Sequence, residues 1–201
     1  MLRGPKMIVA TITDHQTDED SETACGVAEQ FIGFFLKRPS LEDRAMQGIT
    51  EAVNQQLYAQ QQENRYEYMA CGFSVLFVLR NKARWITGGG SMVYHFADGQ
   101  LMGYSQCMDA PALGLKDKYA VELEDTFELQ SGQNAFLLCS AELAKQVSPE
   151  MLQSALADSA SAEEWLQTIV EQVGQKRQYC ANAVILPPRK RLFRRAAHDE
   201  E

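Results

Sequence analysis

The chain has 201 residues, which is the size of one globular domain with a single core. Its formal net charge is −8. Its acidic balance argues against general nucleic-acid binding. No apolar run approaches the roughly 20 residues that cross a bilayer, and residues 1–6 lack the apolar core of a secretory signal. We therefore expect a cytoplasmic protein.

The first third of the chain predicts one strand and two helices. Residues 7–13 form an apolar β-type run. A helix is expected from Ser21 to about Leu36, because its apolar residues recur at helical spacing. Residues 41–62 repeat apolar side chains every four positions, which predicts a longer helix with one buried stripe. Its other side is rich in Gln and Asn and is expected to face solvent.

Residues 69–101 predict three short strands, at 73–79, 83–86 and 92–96. The polar turn Arg80-Asn81-Lys82 separates the first two, and Gly88-Gly89-Gly90 interrupts the chain before the third. This pattern is typical of a meander of antiparallel strands. His95 alternates with its apolar neighbours and is expected to point to solvent.

The second half predicts strands near 101–107, 119–124, 135–139 and 179–186, with helices at 141–146, 149–158 and 162–176. Ser148 and Ser161 are suited to cap the last two helices, and Pro149 is welcome in a first helical turn. The pattern indicates an α+β chain. The cysteines form no C-x-x-C pair, so buried reduced thiols are expected rather than a metal clip or disulfides. They are Cys25, Cys71, Cys107, Cys139 and Cys180.

Four motifs follow one another along the chain. They are Gly72-Phe73-Ser74, Gly89-Gly90-Ser91-Met92-Val93-Tyr94, Asp98-Gly99-Gln100-Leu101, and the run from Gly132 to Leu143. In this order they resemble the motifs G-x-T, G-D-S-R-hydrophobic-Tyr, D-G-x-L and G-D-x-x-L-L-C-S-D-G-L of the metal-dependent PPM (type 2C) protein serine/threonine phosphatases. The resemblance implies a four-layer α-β-β-α sandwich, with two antiparallel sheets flanked by helices, over residues 1–186.

The family holds two divalent metal ions on aspartates, which activate a water molecule to attack phosphorus. Here the aspartate of S-D-G falls on Ala141, that of G-D-S on Gly90, and D-N-x-T on Cys180-Ala181-Asn182-Ala183. The early D-G-x-G-G motif matches only at residues 14–18, where Asp14 is kept. Hard cations need several oxygen ligands. The resemblance therefore implies a remnant metal ligand at Asp14, no catalytic residues and no cofactor.

The resulting hypothesis is a pseudophosphatase that binds a protein, such as a Ser/Thr kinase or a phosphoprotein. The alternative is an active but divergent phosphatase that holds Mn or Mg on a rearranged cluster around Asp14, Asp18 and Asp20. Acidic residues at the start of a helix are also favoured by the helix dipole without any ion. The acidic run therefore has a purely structural interpretation as well.

Residues 187–201 are predicted to form a basic, flexible tail after the stiff Pro187-Pro188 exit. Five cations lie within seven residues, namely Arg189, Lys190, Arg191, Arg194 and Arg195. Such a segment is suited to docking on an acidic partner, an anionic membrane surface or a nucleic acid. The other interpretation is a tail that keeps the protein soluble. Leu192 and Phe193 favour docking.

Overall fold

The computed structural model describes residues 6–14, 22–63, 70–105, 109–176 and 179–188. Within these ranges it contains eight strands and five helices. The strands are β1 (Lys6–Asp14), β2 (Cys71–Leu79), β3 (Lys82–Gly88), β4 (Met92–Ala97), β5 (Gln100–Tyr104), β6 (Phe127–Glu128), β7 (Asn134–Cys139) and β8 (Ala181–Leu186). The helices are α1 (Glu22–Lys37), α2 (Asp43–Glu63), α3 (Ala141–Ala144), α4 (Pro149–Ala157) and α5 (Ala162–Val173).

The strands form two antiparallel four-stranded sheets, with the orders β1-β2-β3-β6 and β5-β4-β7-β8. The predicted α+β fold with two sheets and outer helices is confirmed. The predicted single meander is wrong, because β3 and β4 lie in different sheets. Gly89 and Gly90 carry the chain across with φ angles of 64° and 76°, which glycine adopts without steric cost. A local pattern predicts a strand but cannot say which sheet takes it.

Three apolar layers hold the sandwich together, and alternate residues of each strand serve different layers. One layer joins α1 and α2 to the first sheet, where Phe31 stacks on Phe73 with ring centroids 5.8 Å apart. The second lies between the two sheets and includes Leu76 and Phe136. The third packs α3, α4 and α5 on the second sheet around the fully buried Trp165. Burying each such large side chain contributes about 1.5–3 kcal/mol.

The predicted helix caps are confirmed. Ser148 Oγ accepts a hydrogen bond from Met151 N at 3.2 Å, and Ser161 Oγ accepts one from Glu164 N at 3.1 Å. These bonds satisfy backbone donors that would otherwise have no partner at the helix start. Within the described residues, no helix has the length and apolar character required to cross a membrane.

The predicted strand at 119–124 is wrong, because side chains of α2 take up its backbone hydrogen bonds. Gln47 donates to Tyr119 O at 2.6 Å and accepts from Val121 N at 3.2 Å. Glu51 accepts from Tyr119 N at 2.6 Å. The apolar alternation of residues 119–124 therefore packs against a helix rather than against another strand.

The polar side of α2 is correspondingly not a solvent-exposed face along its whole length. Asn54 is completely buried. Its Nδ2 donates to Lys116 O and its Oδ1 accepts from Gly114 N, both at 2.9 Å. Buried amides are tolerated when both ends are satisfied in this way. We name residues 109–124 the covering segment, because this stretch lies over α2 and the end of β3.

Two further corrections concern His95 and the cysteines. His95 is only 4% exposed, and its ring stacks on Phe136 with centroids 4.5 Å apart, so it does not point to solvent. Cys71 and Cys139 are buried as expected, and burial raises the pKa of the Cys139 thiol to about 12. Cys25 is exposed, contrary to the expectation. Cys107 lies outside the described residues.

The hydrogen bonds of Asn134 show that His95 Nε2 is the nitrogen that donates to Asn134. The Asn134 amide donates to Gln130 O and Gly132 O, and its Oδ1 accepts from Gln130 N. Its orientation is therefore set, and the same Oδ1 lies 3.1 Å from His95 Nε2. Because two acceptors cannot bond to each other, Nε2 carries the proton. Burial lowers the pKa of His95, and the bond to Asn134 offsets this only in part.

We expect stability to fall between pH 7 and pH 5 because of His95. The unfolded chain takes up a proton near pH 6.5, whereas the folded protein resists it until a lower pH. Stability therefore rises with pH across this window and is constant above it. The slope is at most about 1.4 kcal/mol per pH unit. Urea unfolding at each pH measures it, and His95→Gln, which keeps a donor for Asn134, should flatten the profile. An unchanged slope in that variant would contradict the assignment.

Candidate functional site

Several segments meet at one end of the sandwich, around Gly72. The β1–β2 register pairs Gly72 with Thr13 and Cys71 with Asp14. A Cβ placed on Gly72 would lie 2.9 Å from Thr13 Oγ1 and 3.3 Å from Ser91 Oγ. Only glycine leaves room for both hydroxyls. The G-x-T-like and G-D-S-like motifs are therefore in contact in space.

The two positions where the resemblance places aspartates are neighbours here. A Cβ on Gly90 would lie 3.1 Å from the Cβ of Ala141. Ala141 begins α3, whose amino-terminal cap is Ser140. Aspartates at these two positions would bring two carboxylates together, which is the arrangement a pair of divalent cations requires. In this chain the two positions present a hydrogen atom and a methyl group.

The third motif position that lacks its aspartate, at Cys180 or Ala181, lies beside Ser140. Ser140 N donates to Cys180 O at 2.9 Å, and Cys180 N donates to Ser140 Oγ at 3.3 Å. The start of β8 is thereby held against the start of α3, whether Cys180 or Ala181 is matched with the missing acid. Next to it, Asn182 Nδ2 donates to Ala10 O and to Thr11 Oγ1, which joins β8 to β1.

Four buried hydroxyl side chains are among the described polar groups at this end of the sandwich. Thr11, Ser74, Thr87 and Ser91 are all at most 3% exposed. Among the described residues, Ser74 Oγ and Ser91 Oγ have no hydrogen-bond partner. A buried polar group left unpaired costs about 1–3 kcal/mol. Sequence reasoning missed Thr11 and Thr13 here. Their alternation in β1, which places both hydroxyls on one face of the strand, could have indicated them.

The described residues do not fit a two-metal centre. Magnesium and manganese require several hard oxygen ligands, whereas Gly90 and Ala141 offer no side-chain oxygen and Cys180 offers a thiol. In the described ranges, no three His, Cys, Asp or Glu side chains are grouped so that they could hold a metal ion. The backbone of Asp14 ends β1 at this site. Its side chain, like Asp18 and Asp20, lies outside the described part of the chain, so a metal ligand at Asp14 stays a prediction.

Neither a protein-family model nor a curated protein matches this sequence, but solved structures match its fold. PppA, a key regulatory component of the T6SS in Pseudomonas aeruginosa, has a TM-score of 0.65 and 14% identity, covering 90% of this chain and 85% of PppA. The Mycobacterium tuberculosis serine/threonine phosphatase PstP/Ppp has a TM-score of 0.65 and 15% identity, covering 92% of this chain and 99% of that one. The chain has the PPM-type phosphatase fold.

A third solved structure matches over a similar range. The catalytic domain of PstP in complex with two manganese ions has a TM-score of 0.63 and 16% identity, covering 90% of this chain and 98% of that domain. The PPM fold therefore extends over nearly all the described residues. Identities at this level establish the fold alone.

The remaining predicted site residues belong to the basic C-terminal segment. Arg189, Lys190, Arg191, Arg194 and Arg195 all lie outside the described residues. The described chain ends with Pro187 and Pro188, which are exposed after β8. Docking through this basic segment stays a prediction.

Proposed function

We propose that this chain is a PPM-fold pseudophosphatase, which lacks the two-metal phosphatase centre and acts as a regulatory module by binding another protein in the cytoplasm. The observation that carries the proposal is the contact between Gly90 and Ala141. It places a hydrogen atom and a methyl group where the family motif has two aspartates. Without these oxygens a bridging water cannot be held and deprotonated near neutral pH.

The rest of the frame supports a binding role. The Gly72, Ser91 and Ser140 contacts keep the end of the sandwich tightly packed without the acids. A protein that keeps this fold but lacks the metal-binding aspartates still has a defined surface that another protein can bind. A regulatory role also fits a chain whose fold matches PppA, a regulatory component of the T6SS. We propose a Ser/Thr kinase or a phosphoprotein as the partner.

A second function, divergent phosphatase activity, is favoured by one observation. The backbone of Asp14 pairs with Cys71 at the same end of the sandwich as Gly72. A rearranged acidic cluster at Asp14, Asp18 and Asp20 would then approach the site from the β1 side. This alternative requires tight binding of manganese.

We expect the purified protein to show no manganese-dependent hydrolysis of p-nitrophenyl phosphate above buffer, because the described site lacks the oxygen ligands. The PstP catalytic domain serves as a positive control in the same assay. Manganese titration by calorimetry gives an independent measurement and should be flat.

Turnover or manganese binding that is lost in Asp14→Ala, and kept in the matched control Asp117→Ala at an exposed position, would overturn the proposal in favour of the divergent phosphatase. A complementary experiment captures partners from the native cell with the tagged chain. Recovery of a kinase or phosphoprotein supports the binding role. Recovery of nothing above an empty-tag control contradicts it.

A further inference from the structure

The two long edges of the sandwich differ. At one edge, Asn182 joins β8 to β1 and closes the space between the sheets. At the other edge, β5 and the two-residue β6 leave a groove of about 540 Å³ that reaches inward to Trp85 and His95. Gly90 and Ala141 are not among the residues that line this groove, and the proposed function does not use it.

The floor of the groove is aromatic. The ring centroids of His95 and Trp85 each lie 4.8 Å from that of Phe127, and they lie 6.4 Å from each other. Trp85 is 6% exposed, and its Nε1 has no acceptor among the described residues. An indole N–H in a buried setting normally finds a partner. A bound chain brings backbone carbonyls that could accept this bond.

The rim of the groove is acidic, with an apolar lip. Glu124, Asp125 and Glu128 line it, and none of the described residues that line it is a lysine or an arginine. Met102 and Tyr104 on β5 form the lip and are 53% and 42% exposed. Large exposed apolar side chains beside a groove indicate a binding surface. The matching occupant is an extended segment with several cations and at least one large apolar side chain.

This chain contains such a segment shortly after β8 in the sequence. Residues 189–195 hold five cations around Leu192 and Phe193. The described chain leads to them from Leu186, which pairs with Asn134, the residue that contacts His95. Leu186 lies two strands from β4, a separation of about 10 Å. Seven extended residues reach up to roughly 23 Å, which is enough to cross this distance.

We propose that residues 189–195 bind in the groove of their own chain. The cations pair with the rim at Asp125 and Glu128, and Leu192 or Phe193 packs on the aromatic floor. The segment is then occupied until an acidic partner competes for it, so the groove regulates access to the basic segment. This inference stands whether or not the chain is an enzyme.

Limited trypsin digestion of the full chain tests the proposal, because trypsin cuts after the five cations only when they are accessible. Cleavage of the segment is followed by intact mass. Replacing both Asp125→Asn and Glu128→Gln should speed this cleavage at least about fivefold, since it reports the population of the undocked state. The control Asp117→Asn with Glu163→Gln removes the same charge elsewhere and should leave the rate unchanged. Equal rates in all three proteins would overturn the proposal.

Salt provides a second measurement on the unmodified chain, in case the groove variant folds poorly. Raising the salt concentration from about 0.02 M to about 0.5 M shortens the screening length severalfold and should speed cleavage of the segment, relative to cleavage of a free peptide of the same sequence. A protection that disappears on dilution would show docking between copies. If the protection of the segment from trypsin does not change with salt, the acidic rim is not its cause. Either outcome overturns the proposal.

Discussion

Replacing Arg84 with leucine is expected to destabilise the protein by about 2–4 kcal/mol, because a buried donor for two backbone carbonyls is lost. Arg84 is 4% exposed in β3. Its Nε donates to Glu124 O at 2.7 Å, and its Nη1 donates to Leu41 O at 2.8 Å. Among the described residues, the other side-chain donor to Leu41 O is Thr126 Oγ1, at the longer distance of 3.4 Å. The change therefore releases the end of the covering segment and the start of α2 together.

The matched control is Asp43→Asn. Asp43 pairs with Arg84 Nη1 at 2.7 Å, but its side chain is 81% exposed. An ion pair open to solvent contributes less than about 1 kcal/mol. Urea unfolding of both variants separates the two contributions. If Asp43→Asn costs as much as Arg84→Leu, the ion pair and not the carbonyl bonds holds this corner.

The second large effect is expected at Gly88, where alanine should cost about 1–3 kcal/mol or more through overpacking. A Cβ at Gly88 would overlap the Phe73 ring and would lie 2.6 Å from both Pro111 O and Tyr119 Oη. Those two oxygens are themselves joined by a hydrogen bond of 2.6 Å. The added methyl group therefore separates the covering segment from the end of β3. A lowered urea midpoint with an unchanged slope is the expected result.

Gly103→Ala is the control for Gly88→Ala. Gly103 is also a strand glycine, in β5, but a Cβ there would meet no atom within 4 Å. Its φ angle lies outside the left-handed region. The substitution should be neutral or slightly stabilising, by about 0.4–1 kcal/mol, because it restricts only the unfolded chain. If both substitutions lower the free energy of unfolding by similar amounts, the loss comes from replacing a glycine in a strand and not from overpacking at Gly88.

Features that depend on residues close together in the sequence could be predicted, whereas features that depend on distant residues could not. The caps at Ser148 and Ser161 depend on neighbouring residues and were predicted. The turn after β2 was predicted at Arg80-Asn81-Lys82, and it consists of Arg80 and Asn81, since Lys82 already pairs with Leu79. The environment of His95 depends on Phe127 and Phe136, which are distant in the sequence, so alternation within β4 could not reveal its burial. The strand predicted at 119–124 failed for the same reason, since the side chains of α2 replaced a strand partner.

The candidate site was predicted in composition but not in arrangement. The motif comparison indicated that Gly90 and Ala141 lack carboxylates, and it did so one position at a time. Their contact depends on the chain crossing between sheets at Gly89 and on the start of α3, so only the fold shows that the two losses fall on one place. Ser74 lies in β2 and Ser91 lies just before β4, so neither motif alone could show that their buried hydroxyls come to the same end of the sandwich.

The covering segment has a role beyond holding α2 in place. β6 pairs with β3 only at Lys82 and Ala83, so most of the outer edge of β3 would be open without it. Gly89 N donates to Ala110 O, and Arg84 bonds to Glu124 O, so the segment lies along that edge. An uncovered strand edge is a template for pairing with another chain. The polar side chains of α2 that hold the segment, Gln47, Glu51 and Asn54, thus keep one molecule from adding its sheet to the next.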